Sequence, residues 1–140
     1  MLNIKIKLIE NGKMPEYKRN GDCCLDCYAR KEAIIPVGKR KLIELGFAIE
    51  LPPEWEGIVR PRSGLSKAGI DVAIGSIDSN YRGEVMANVI NNSGEDFKVE
   101  MGNRICQLAI RTAPTICFEL VNELSDTNRG SDGFGSSGIR

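Results

Sequence analysis

The chain has 140 residues, enough for one domain with its own core, and its 19 basic and 19 acidic residues cancel to a formal charge of zero. That balance removes the general electrostatic pull expected of a nucleic-acid or acidic-membrane binder, so neither partner is expected. The sequence has no histidine, which excludes Ser-His-Asp and Cys-His catalysis and any His-ligated metal, and leaves Asp, Glu, Lys, Tyr or Cys as general base.

The chain opens on a period-two pattern. Leu2, Ile4, Ile6 and Leu8 alternate with Asn3, Lys5 and Lys7, which predicts a half-buried strand. A second strand is expected around Asp26, which stands among the apolar residues of 24–29. Further strands are predicted at 47–51, 58–60, 85–90, 97–101, 105–110 and 116–121. Pro52-Pro53, Asn91-Asn92-Ser93-Gly94, Gly102-Asn103 and Ala113-Pro114 supply turns between them. The best helix lies at 65–70, after Ser63-Gly64, and is short. Many short strands with Gly, Pro and Asn punctuation predict an all-β sandwich or barrel. From Asp126 the composition turns to Gly, Ser and Asp. The expected division is therefore a β domain over 1–125 and a flexible tail over 126–140.

The five cysteines are Cys23, Cys24, Cys27, Cys106 and Cys117. The odd count, with no secretory leader in the sequence, reads as a reducing cytoplasm. Cys23-Cys24-x-x-Cys27 is half of a zinc spacing, but no second doublet follows, so buried apolar thiols are expected. No apolar run approaches membrane-spanning length. Basic residues divide unevenly: seven Lys and three Arg precede position 60, and seven Arg and two Lys follow from there. The guanidinium is the better fork for phosphate oxygens, so the second half is expected to handle an anion.

Five segments carry chemistry-bearing residues. Asp26 in its strand needs a partner, either a nearby Arg or a solvated metal. Arg62-Ser63-Gly64 offers a charge, a hydroxyl and amides at a helix start, which is either an anion site or a plain cap. In the stretch 69–85, a hairpin with Gly75 near its bend would let a planar base meet main-chain donors and acceptors. Asp78 there is a candidate base and Tyr81 a candidate wall beneath a sugar; an ordinary hairpin with a surface Asp is the alternative. Gln107 among apolar residues calls for a hydrogen-bonding role or an outward amide. The tail from Arg129 to Gly138 carries Phe134 among glycines and serines, which suits closure over a ligand or an ordinary disordered end.

In order and spacing, Asp26, Arg62-Ser63-Gly64, Gly75-x-Ile77-Asp78-x-x-Tyr81-Arg82-Gly83, Arg104-Ile105-x-Gln107-Leu108 and Arg129-Gly-x-x-Gly-Phe134-Gly-Ser-Ser-Gly138 resemble the five motifs of the trimeric deoxyuridine triphosphatase (dUTPase) family. The resemblance spans residues 26–138. It implies a distorted jelly-roll subunit in a homotrimer, with active sites shared between chains and a mobile C-terminal lid. It implies hydrolysis of dUTP to dUMP and pyrophosphate, which limits uracil in DNA and supplies dUMP for thymidylate. By position, Asp78 would activate the water that attacks the α-phosphorus. Tyr81 would exclude a 2′-hydroxyl, Met86 would line the sugar pocket, and main-chain groups from Val72 through Gly75, Ser76 and Ile77 would read uracil. Arg62, Ser63, Gly64 and Gln107 would bind phosphates. Mg²⁺ would be held mainly by the triphosphate, with Asp26 reaching it through water. Phe134 would close over uracil, with Arg129, Gly135, Ser136 and Ser137 on the substrate.

The sequence departs from the family pattern at Leu25, Cys27, Ser76, Asn80 and Asn103 without removing a residue of that mechanism. Two rivals stand beside it. A dCTP deaminase shares the fold but lacks this Tyr-Arg-Gly segment and tail; a regulatory dUTP-binding protein would act through a partner.

Overall fold

A computed structural model describes residues 2–131 and Gly133. Its elements in chain order are β1 (Lys5–Leu8), β2 (Leu25–Tyr28), β3 (Ala33–Ile35), β4 (Arg40–Glu44), β5 (Phe47–Glu50), β6 (Trp55–Arg60), α1 (Ser63–Lys67), β7 (Ile70–Ala73), β8 (Gly75–Ile77), β9 (Met86–Asn91), β10 (Phe97–Val99) and β11 (Arg104–Thr112). The fold is all-β with one short helix, as the pattern of short strands predicts. A four-stranded sheet runs β2-β11-β6-β8 and a three-stranded sheet runs β4-β9-β7. Two pairs, β1-β5 and β3-β10, complete the layers, and every pairing is antiparallel.

The alternation of side chains along strands builds the core. In β9, Ala87, Val89 and Asn91 point inward while Met86 is exposed. β11 lies between β2 and β6, and Ile105, Cys106, Leu108 and Ala109 are all buried on it. Phe47, Ile35, Leu45, Val85 and Val99 fill the interior; each such burial contributes about 1.5–3 kcal/mol. The buried Asn91 is fully served: its amide donates to the carbonyls of Ile35 (2.8 Å) and Glu95 (2.9 Å), and its oxygen accepts from Ser93 N–H and Oγ. Among the described residues no helix is long and apolar enough to cross a membrane.

Several expectations change. β1 begins at Lys5, and Leu2 and Leu8 are exposed, so the opening strand is less buried than its alternation implies. The helix starts at Ser63, with Arg62 as its extended cap residue and no side-chain cap bond. It ends before Gly69, whose φ of +82° a residue with a side chain would adopt only under strain. Ile70 therefore opens β7 instead of closing the helix.

Residues 69–85 do not form a hairpin with themselves. β7 pairs with β9 and β8 pairs with β6, so the chain changes sheets at Ile74. Each strand thereby pairs with a six-residue strand and still buries its apolar residues, Ile70 and Val72 in β7 and Ile77 in β8.

Residues 116–121 carry no strand, and Ile116, Phe118 and Leu120 are 68–100% exposed. Their alternation meets no partner strand among the described residues. All five thiols are free, but Cys23 and Cys117 are exposed, against the expectation of burial. Cys27 and Cys106 face each other across β2 and β11, and the neighbouring Cys27 thiol together with burial pushes the Cys106 thiol well up. They act there as small apolar side chains.

Candidate active site

Two groups of side chains converge, on two parts of the four-stranded sheet. The first forms where β8 runs out. Beyond Ile77 the chain turns, and Tyr81 N–H donates to the Asp78 carbonyl at 3.0 Å. Arg82 Nη1 staples the turn through the carbonyls of Ser79 (2.7 Å) and Tyr81 (2.9 Å). The Tyr81 hydroxyl donates to the Glu84 carbonyl at 3.1 Å, which lays the ring back over Gly83. A Cβ at position 83 would collide with that ring and push it aside, so glycine is what lets Tyr81 lie in this place.

Gly75, Ser76, Ile77, Asp78, Tyr81 and Met86 line a cleft of about 240 Å³. The Asp78 carboxylate is exposed at its mouth, and Tyr81 and Met86 are 45% and 40% exposed. A Cβ at Gly75 would meet nothing within 4 Å, so a planar ligand has open approach to that backbone. Sites for drug-sized ligands run to about 300–1,000 Å³. This cleft therefore suits the base and sugar of a nucleotide better than the whole of one.

The second group centres on Asp26. Its strand, β2, pairs with β11 so that Asp26 stands opposite Gln107, which in turn faces Arg60 of β6. The Asp26 carboxylate is buried. Its Oδ1 accepts from Arg62 Nε (3.2 Å) and Gln107 Nε2 (3.0 Å), and its Oδ2 accepts from Arg104 Nη1 (3.0 Å). Burial alone would raise its pKa. The Gln107 and Arg104 hydrogen bonds and the Arg62 and Arg104 charges outweigh it and hold the carboxyl below its ordinary 3.8. Arg62 also donates to the Arg104 carbonyl at 3.3 Å. The result is a carboxylate that gathers two guanidiniums and an amide into one cationic, donor-rich patch. Such a patch can bind phosphate oxygens.

The two groups are separate within the chain. Gly75 pairs with Val59, next to the Arg60–Gln107–Asp26 row, while Ile77 pairs with Gly57 and leads to Asp78 beyond the far end of β8. At about 3.3 Å per strand residue, Asp78 stands four residues, roughly 13 Å, along the strands from that row.

Other expected residues fall differently. Val72 is buried in β7, so only its backbone is available to a ligand. Ser63 and Gly64 are exposed at the start of α1, ahead of the first amides that bond back to Arg62. Arg129 lies in the turn closed by Gly130 N–H on the Thr127 carbonyl at 3.0 Å. Phe134, Gly135, Ser136 and Ser137 lie outside the described residues.

Three residues carried no role in the sequence reading: Arg104, and the ion pair of Arg30 with Glu84 (2.6 Å) beside the Tyr81 turn. Arg104 sits inside a quoted motif, three residues before Gln107, and that spacing was its signal. Arg30 and Glu84 are 54 positions apart and gave none.

Among the described residues no group of three acidic or sulfur side chains stands where it would cage a metal. Asp26 has three of its roughly four acceptor positions filled. That leaves room for one water and suits a hydrated ion carried by a ligand, not one coordinated directly by the protein.

Comparison with known proteins gives one consistent result. A family model described as dUTPase matches residues 10–138. The deoxyuridine 5′-triphosphate nucleotidohydrolase of Clostridium acetobutylicum is 45% identical, over 100% of this chain and 99% of the relative. That of Alkaliphilus metalliredigens is 44% identical over the full length of both. Among solved structures, the dUTPase of Staphylococcus bacteriophage 80alpha with dUPNHPP superposes with a TM-score of 0.93 at 25% identity, covering 99% of this chain and 100% of that one.

Proposed function

The chain belongs to the dUTPase family, and we propose that it hydrolyses dUTP to dUMP and pyrophosphate at a site completed between the protomers of a homotrimer. The observation that carries this reading is the cleft that gathers Gly75, Ser76, Ile77, Asp78, Tyr81 and Met86 in one place. The open backbone of β8 reads the uracil edge, and a buried mismatch there rejects cytosine. Tyr81 packs under the deoxyribose and leaves no space for a 2′-hydroxyl, with Met86 on the other wall.

Asp78 takes the proton of a water aimed at the α-phosphorus. A solvent-facing carboxylate at the cleft mouth has the exposure and the acceptor oxygens for this role. Arg62 and Gln107, set by Asp26, hold the triphosphate together with Ser63 and Gly64. Asp26 would reach a triphosphate-bound Mg²⁺ through a water, and the ion would supply charge neutralisation for the leaving pyrophosphate. The tail closes last, with Phe134 stacking on uracil for about 1–3 kcal/mol and Arg129, Gly135, Ser136 and Ser137 on the substrate.

Two features support the trimer. The Asp78 cleft and the Asp26 patch are each half of a triphosphate site, and one chain does not bring them together. The exposed alternation of Ile116, Phe118 and Leu120 gives a neighbouring protomer something to cover. Five free thiols fit the reducing cytoplasm as location.

Pyrophosphate release measured across dUTP, dCTP, dTTP and UTP, with and without EDTA, tests this function. The expected result is EDTA-sensitive release from dUTP at a kcat/KM at least about 100-fold above the others, the scale that unpaired polar groups in a buried site can impose. Ammonia release from dCTP would point to the deaminase instead. Tight dUTP binding without turnover would point to a regulator.

A further inference from the structure

Glu84 is the one acidic residue of the Asp78 loop that faces inward. Its carboxylate accepts three donors: Arg30 Nε at 2.6 Å, Arg30 Nη2 at 3.1 Å and the Gly46 amide at 2.9 Å. The Arg30 and Glu84 side chains are only 11% and 14% exposed. Arg30 is itself held. Its amide donates to the Glu44 carbonyl at 3.0 Å, and its Nη2 lies 2.9 Å from Glu44 Oε2, which also pairs with Lys31 at 2.8 Å. On either side of this clamp the backbone is pinned, with Val85 N–H on the Phe47 carbonyl (2.8 Å) and Leu45 N–H on the Val85 carbonyl (3.2 Å). The other end of the same residue holds Tyr81, because the Glu84 carbonyl accepts the phenol hydrogen at 3.1 Å.

We propose that the Arg30–Glu84 pair is a positioning device for Tyr81, and that through it the pair sets discrimination against a 2′-hydroxyl. The inference rests on the dUTP-hydrolysing reading above. Neither carboxylate oxygen of Glu84 is free to serve substrate, since both are spent on the fork of Arg30, and one of them also on Gly46. Two parallel bonds between a guanidinium and a carboxylate fix direction as well as distance. A lysine keeps the charge but not the fork. The path is continuous: the segments after β2 and β4 hold Arg30 and Gly46, these hold Glu84, and Glu84 holds the tyrosine ring over Gly83. A ring free to tilt by a fraction of an ångström widens the gap in which a 2′-hydroxyl is refused.

The test compares kcat/KM for dUTP and for UTP in wild type, Arg30→Lys, Glu84→Gln, Tyr81→Phe and the Arg30→Lys/Tyr81→Phe double variant, with thermal melting of each. Glu84→Gln keeps an acceptor for Gly46 and guards against loss of fold in the arginine variant. Arg30→Lys and Glu84→Gln are expected to raise the UTP-to-dUTP ratio about tenfold, a modest share of what an ångström of misplacement costs. The double variant is expected to match Tyr81→Phe alone, because both changes act through one hydrogen bond. Lower melting with an unchanged ratio would show a purely structural pair and overturn the proposal; so would additive effects in the double variant. Wild type that does not prefer dUTP to UTP would sink the underlying function instead, which keeps the two failures distinct.

Discussion

Asp78→Asn is expected to lower kcat for dUTP by about 10²–10⁴-fold, the usual share of a general base, while dUTP affinity changes no more than a few-fold. Asparagine fills the same space but cannot accept the proton of the attacking water. Asp78 lies at the cleft mouth, exposed, and no hydrogen bond of the described structure depends on its side chain, so the fold has little reason to respond. The loop geometry that presents it comes from its backbone carbonyl, which accepts from Tyr81 N–H, and the substitution keeps that carbonyl. Single-turnover rates and calorimetric titration with a non-hydrolysable dUTP analogue separate the two quantities. An unchanged rate would reject Asp78 as the base. A large loss of affinity would make it a binding residue.

Asp26→Ala should damage both stability and phosphate binding. The carboxylate it removes is buried and serves Arg62, Arg104 and Gln107 at 3.0–3.2 Å. Two partly exposed guanidiniums are left facing each other without their counter-charge. A loss of about 2–3 kcal/mol is expected, towards the lower end for a broken buried pair because water reaches both arginines. KM for dUTP should rise with it, since Arg62 and Gln107 lose the group that aims them.

The effect carries a pH signature. The folded pKa of Asp26 lies below its ordinary 3.8, so its stabilisation is fully present above that value and fades as pH falls through the folded pKa. The gap between wild type and variant in denaturant unfolding should stay constant from pH 7 to about 5 and close towards pH 2. A gap indifferent to pH over that range would mean that folding leaves the Asp26 pKa at its unfolded value, against the ion-paired carboxylate described above.

Much of this site was legible because it depends on local residue order. Asp78, Tyr81 and Gly83 sit within six positions, and a turn of that length places them together whatever surrounds it. The strands were legible where one face is apolar, as at 47–51 and 105–110. What escaped the sequence depends on partners far along the chain. Asp26 offered a choice between an arginine and a metal; the β2–β11 register decided it by setting Gln107 opposite and bringing Arg104 and Arg62 close. The ion pair from Arg30 to Glu84 spans 54 positions and follows no periodicity. The expected hairpin at 69–85 failed because edge pairing with β6 and β9 won over local closure. Alternation at 116–121 read as a strand, yet a pattern gives no partner, and among the described residues none is present. The spacing that pointed to Arg62 and Gln107 as phosphate ligands said nothing of the carboxylate that unites them.

The central claim is attack by an Asp78-activated water on the α-phosphorus of dUTP. Hydrolysis in ¹⁸O-labelled water, followed by mass spectrometry of both products, tests it most directly. One labelled oxygen is expected in dUMP and none in pyrophosphate. Label in pyrophosphate would place the attack on the β-phosphorus and contradict the account, and an absence of dUTP cleavage would contradict it more completely.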